Sequence, residues 1–169
     1  WKLLRLRPSN FPAIRIAQFA GIIYKSQSIF SKIINIEDLN DLRSLFDIKA
    51  SEYWSTHYNF SKPSKSKEKQ LGINSINLII INTVIPFIFV YGNDKGIDYL
   101  KDRAIQFLEE LEPESNSIIR KWESMGFEVI NAFYSQALIH LKKSYCDKKK
   151  CLKCKIGNEI IISEKAFKI

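Results

Sequence analysis

The chain has 169 residues, with 26 Lys and Arg against 18 Asp and Glu, for a formal charge of +8. Apolar residues make up 46% and charged residues 26%, a balance that excludes a disordered chain, and the length suits a single domain with a core that needs no disulfide staples. The three cysteines cannot all pair with one another and lie close together, unlike the dispersed framework of a secreted domain, so a reducing cytoplasm is the expected location.

No signal-peptide pattern opens the sequence, and the start at Trp1 suggests a piece of something longer. In "RLRPSNFPAIRIAQFAGIIYK", Pro12 suits a first helical turn with Asn10 or Phe11 just outside it, and a helix is expected from about Pro12 to Tyr24. "SIFSKII" reads as a short helix and "NIEDLNDLRSLFD" as another. The latter has Asn35 as its expected cap, Glu37 and Asp38 in the first turn, and Leu39, Leu42, Leu45 and Phe46 as its buried stripe. "ASEYWSTHYNF" should make one or two helical turns from Ser51, with Tyr53, Trp54, His57 and Tyr58 as an aromatic cluster. "SKPSKSKEKQLG", Ser61 to Gly72, is a polar, basic loop bounded by breakers.

"INLIIINTVIPFIFVY", Ile76 to Tyr91, falls short of the roughly 20 apolar residues that cross a bilayer, and no membrane is expected. Apolar on every side, it reads as a buried core helix over about 73–91, kinked where Pro86 removes a donor and crowds the carbonyl of Asn82. It should end near Gly92, with "NDKG" as the turn. "IDYLKDRAIQFLEEL" is an amphipathic helix with Leu100, Ala104, Phe107, Leu108 and Leu111 inward and Lys101, Asp102, Arg103 and Glu109 outward, stopped by Pro113. "ESNSIIRKWESMG" gives a shorter helix closed by Gly126, and "NAFYSQALIHLKKSYC" a last long one. Only "EIIIS" carries a β-branched run, and a lone short strand is unstable without a partner. The expected fold is all-α: a single compact multi-helix bundle of about seven or eight helices, with residues 1–169 in one domain and a C-terminal cysteine hook.

The hook, "YCDKKKCLKCKIG", spaces Cys146, Cys151 and Cys154 as C-x4-C-x2-C directly after a helix. Thiolates at such spacing can converge on zinc, with His140, Asp147 or Glu159 as candidates for a fourth ligand. The other reading is thiols packed as small hydrophobes or left free. Lys142, Lys143, Lys148, Lys149, Lys150, Lys153 and Lys155 surround it, and Lys62, Lys65, Lys67 and Lys69 decorate the loop. Such clusters neutralise phosphates, although lysines at a helix C-terminus also complement its dipole. At the other end, Arg5, Arg7 and Arg15 flank a Pro-bounded helix start, where guanidinium forks and backbone donors suit a phosphate or carboxylate. The alternative is a structural turn whose arginines pair with acids of a neighbouring domain. Aromatics beside the loop can stack bases or form core. His57 and His140 have no partnered nucleophile or paired carboxylate, so no catalytic set is assigned.

Four stretches, "RLRPSNFPAIRIAQFA", "EYWSTHY", "NTVIPFIFVYG" and "SQALIHLKKSYCDKKKCLKCKIGN", together resemble the C-terminal part of a bacterial family of unknown function whose longer members carry an additional N-terminal half. The resemblance rests on Arg7, Pro8, Asn10, Pro12 and Arg15, then Trp54 and His57, Ser135 and Gln136, and the three cysteines. It implies a helical C-terminal domain of a cytoplasmic protein and brings no activity. The hook also resembles the iron-sulfur loop of helix-hairpin-helix DNA glycosylases. Its first spacing is shorter, and Glu159 stands where that loop has a fourth cysteine. Two functions follow as expectations: a non-catalytic domain that binds DNA or RNA through hook and loop lysines, and a structural domain that docks its own N-terminal half or another protein.

Overall fold

The structure, a computed structural model, describes Arg7 and residues 10–166, with side chains through Ser163. Arg5 and Pro8 lie outside the described residues. The described residues are all-α, with two isolated antiparallel bridges, Lys49–Gln70 and His57–Pro63, and no strand among them. They fall into two compact units, Trp1–Phe107 and Leu108–Ile169.

The first unit begins with α1 (Pro12–Lys25), which has Phe11 at its N-cap position and Pro12 at its first helical position. The fixed φ of proline is preorganised there and its missing donor costs nothing. The helix buries Ile14, Gln18 and Ile22 and leaves Ile16, Phe19, Ile23 and Tyr24 exposed. After α2 (Ile29–Asn35) comes α3 (Leu39–Phe46). The cap of α3 is not Asn35, which ends α2, but Asp38, whose carboxylate accepts from the amides of Asn40 at 2.7 Å and Asp41 at 3.1 Å. Asp38 stands immediately before the apolar-periodic run, where a side-chain acceptor reaches the unpaired first-turn donors. Leu39, Leu42 and Phe46 are buried as the periodicity predicts.

The apolar segment is longer and less enclosed than its sequence suggests. It runs as one helical stretch, α4 (Ile73–Ile79), a π turn (Ile80–Val84) and α5 (Ile85–Lys95). Gly96, at φ 66°, caps its end; that left-handed conformation suits glycine. By length and composition alone its 23 residues are enough to cross a membrane. Ile76, Ile80, Ile81, Val84, Ile85 and Ile88 are buried, whereas Leu78, Phe87, Phe89 and Val90 are exposed. The expectation of burial on every side is therefore corrected to a core helix buried along one face. Polar positions on it join neighbouring helices: Asn77 accepts from Arg43 Nε of α3 at 3.1 Å, and Ser75 from Arg15 of α1 at 3.5 Å. Pro86 is accommodated by the preceding π turn, in which the Ile85 amide bonds to Ile80 rather than Ile81. Inserting one residue into the ladder here is a known route around a lost donor.

In α6 (Asp98–Glu110), Leu100, Ala104 and Phe107 are buried as expected, but so is Arg103. Its guanidinium donates to the carbonyl of Ile34 near the end of α2 and lies over the Tyr99 ring, with Nε buried and without a partner among the described residues. Burial lowers its pKa, opposed by Tyr99 and Glu37.

In the second unit, α7 (Ser117–Ser124) is capped by Asn116 and α8 (Ala132–Leu141) by Asn131. Buried Ser135 on α8 accepts from the amide of Glu114 at 3.3 Å and donates to the carbonyl of Ala132 at 3.0 Å, while Gln136 donates to the Glu114 carboxylate at 2.9 Å. A π turn (Lys142–Cys146), a 3-10 turn (Cys151–Lys153) and α9 (Lys155–Ala166) complete the described residues. "EIIIS" is thus helical, not a strand. Without a neighbouring strand a β-branched run gains nothing from extension, and a run of three isoleucines does not distinguish the two states.

Candidate anion-binding site

The polar loop of the first unit is pinned by long-range bonds. The Leu71 amide donates to the carbonyl of Ile48 at 2.9 Å, the Ala50 amide to that of Lys69 at 3.0 Å, and the Lys67 amide to that of Ser55 at 2.8 Å. Extended backbone turns alternate side chains to opposite sides, and residues 68–71 alternate accordingly. Glu68 and Gln70 point outward, bonded to Lys49 at 2.6 Å and Asp47 at 2.5 Å. Leu71 and Lys69 point inward.

Lys69, expected on a solvated loop, is instead 6% exposed. Its ammonium donates to the carbonyl of Ser55 at 2.7 Å and lies 4.2 Å above the Tyr58 ring. Burial, and secondly the charge of Lys67, push its pKa below the ordinary lysine value. Arg15, on the first turn of α1, reaches the same place. Its guanidinium donates to Gln18 Oε1 at 3.0 Å and to Asn10 Oδ1 at 2.7 Å, and Gln18 in turn donates to the carbonyl of Lys69 at 3.2 Å. Arg15, Lys67, Lys69, Tyr58 and Ser75 line a cavity of about 290 Å³. Glu68 also lines it, with its carboxylate held by Lys49. Neither Arg15 nor Lys69 forms a carboxylate pair among the described residues. Cations bonded only to neutral groups in a partly desolvated recess retain their attraction for an anion.

Tyr58 lines a second cavity too, of about 570 Å³, together with Phe11, Trp54, Phe60 and Ile16. Phe60 meets Trp54 edge-on at 5.2 Å, and Phe11 meets Tyr58 at 6.3 Å. His57 stands outside this cavity, stacked on Tyr53 at 4.2 Å. Its Nδ1 lies 3.0 Å from Thr56 Oγ1 and 3.1 Å from the carbonyl of Tyr53, a satisfied structural histidine.

Of the arginines singled out at the helix start, Arg15 takes part in this site. Arg7 is exposed, its carbonyl receiving the Asn10 amide at 2.8 Å, and Arg5 lies outside the described residues.

In the second unit, Lys143, Lys148, Lys149, Lys150, Lys153 and Lys155 are exposed. Lys142 is half-buried and paired with Asp147 at 2.5 Å. The thiols face different surroundings: Cys146 and Cys151 are exposed, and Cys154 is buried. A Cβ on Gly157 would come within 2.8 Å of the Cys151 carbonyl, so glycine lets the turn lie directly against α9. Among the described residues no three His, Cys, Asp or Glu side chains are placed to hold one ion. Structural zinc needs four converging ligands, and of the three thiols one is buried and two are exposed. His140 is exposed, with Nδ1 3.4 Å from Ser144 Oγ.

A family model described as "Protein of unknown function (DUF2851)" matches residues 1–117. The chain belongs to this family. The DUF2851 segment contains Arg15, Lys67, Lys69 and both cavities around Tyr58, whereas the cysteine hook lies beyond the matched residues. No curated protein and no solved structure matches the chain, so the likeness of the hook to a DNA glycosylase loop gains no support. Within the DUF2851 segment, sequence reading finds Arg15 and the aromatics but takes Lys69 for one more solvated lysine. Its alternation with outward Glu68 and Gln70 is the signal that distinguishes it, and that signal has meaning only once the segment is known to pair with residues 48–50.

Proposed function

We propose that the chain binds nucleic acid as a non-catalytic accessory domain. The observation that carries this reading is the cavity of the first unit, where Arg15, Lys67 and Lys69 converge without a free carboxylate among them. A phosphate placed there offsets the desolvation of Lys69 and the repulsion between the two lysines. The six exposed lysines of the hook support the reading independently, as a cationic surface that neutralises further phosphates. No base-reading motif accompanies either site, so affinity should depend on backbone charge and little on sequence.

The test is fluorescence anisotropy with a labelled single-stranded oligonucleotide. Binding at low salt should weaken steeply between about 50 mM and about 200 mM salt, and Lys67→Ala should reduce the slope of log K against log salt by about 0.7. No binding at low salt removes the proposal.

A second reading, docking of a protein partner, is supported by the outward stripe of α1, where Ile16, Phe19 and Ile23 are exposed together. Apolar patches of this kind commonly mark interaction surfaces. A protein that ignores oligonucleotides yet self-associates in sedimentation, with Phe19→Ser abolishing the association, would favour it over the first; a monomer at every concentration would count against a copy of the chain as that partner.

A further inference from the structure

Resting on the nucleic-acid reading, we infer that the site of the first unit takes an unpaired nucleotide: its phosphate in the Arg15–Lys67–Lys69 cavity, and its base in the aromatic groove on the same tyrosine. Tyr58 is the residue both cavities share. Lys69 covers its ring from within hydrogen-bonding reach of the Ser55 carbonyl, so charge and aromatic surface are held by one another.

The groove suits a base in shape and chemistry. Of the residues that line it, Asn59 is the one with a polar amide, and none carries a charge. Asn59 Oδ1 is already engaged by the amides of Ser61 at 3.0 Å and Lys62 at 3.2 Å. The groove walls are therefore mostly flat rings and aliphatic carbon, which suit stacking of a base more than reading of its edges. Phe60 is 79% exposed while packing edge-on against the buried Trp54, an outward ring with a fixed support beneath it. An apolar groove alone would be silent about its occupant; the cationic cavity alongside it selects one that joins a flat apolar ring system to a phosphate. In a duplex the bases are stacked on each other and unavailable, so an unpaired strand is the form that fills both cavities.

The deciding experiment compares a deoxythymidine dodecamer, an abasic dodecamer with the same phosphates, and a duplex of equal length by competition at low salt. The thymidine strand should bind most tightly, and Phe60→Ala should weaken it by at least about fivefold while leaving the abasic strand unaffected. Phe60→Leu, which keeps an apolar side chain against Trp54, should show the same selective loss and separates stacking from misfolding. Equal binding of all three ligands, or equal losses on the thymidine and abasic strands, overturns the inference and leaves the nucleic-acid reading standing. Failure of every ligand to bind the wild-type chain overturns both.

Discussion

Phe107→Ala should lower the unfolding free energy by about 3–5 kcal/mol. Phe107 is fully buried at 0% exposure, one helical turn from Ala104 and two from Leu100 along the inward stripe of α6. Truncation to a methyl group forfeits the transfer free energy of the ring and leaves a cavity that surrounding side chains cannot fill without leaving their rotamers. Typical domains have only about 5–15 kcal/mol in total, so the variant should sit near the edge of folding. Urea denaturation followed by far-UV circular dichroism measures the effect as a shift in midpoint at an unchanged slope. A loss below about 1 kcal/mol would mean that α6 is not packed as described. Phe107→Leu, nearer in volume, should cost visibly less.

Replacing Lys148, Lys149 and Lys150 together by alanine should weaken oligonucleotide binding by about a hundredfold at about 0.1 M salt. Each phosphate neutralised on a single strand contributes about 0.7 to the salt slope, equivalent to about fivefold in affinity at that concentration relative to 1 M. These three side chains are exposed, and none forms an ion pair among the described residues, so their removal disturbs no internal bond. Thermal stability should therefore be nearly unchanged, as is usual for surface substitutions. Loss of affinity with an unaltered melting temperature assigns the effect to binding; unchanged affinity would assign these lysines to solvation of the turn.

Amphipathic helices were legible because their periodicity carries its own answer. Leu39, Leu42 and Phe46 of the α3 stripe and Leu100, Ala104 and Phe107 on α6 are buried as their spacing implies, with Leu45 half-buried. Arg103 belongs to that same stripe by spacing, three residues after Leu100 and four before Phe107. Its charge argued for solvent, whereas the carbonyl of Ile34 supplied an acceptor from a distant helix. The continuous apolar run at Ile73–Lys95 fails for the opposite reason. With apolar side chains at most positions between Ile76 and Tyr91 it has no period to say which face is covered, and the exposure of Phe87, Phe89 and Val90 depends on how many neighbours reach it. Lys69 was hidden because inward placement comes from pairing with residues 48–50, a long-range fact that a lysine-rich composition actively obscures. In the hook, C-x4-C-x2-C brings three thiols close in sequence, and the turns leave one buried and two exposed.

The most direct examination of the phosphate-binding claim is a titration of isotope-labelled protein with a deoxythymidine strand, followed by backbone amide chemical shifts. Phosphate binding in this cavity should give saturable perturbations that include Arg15, Tyr58, Lys67 and Lys69 and that reverse when salt is raised. A strand that saturates the protein while leaving those four amides where they were would contradict it.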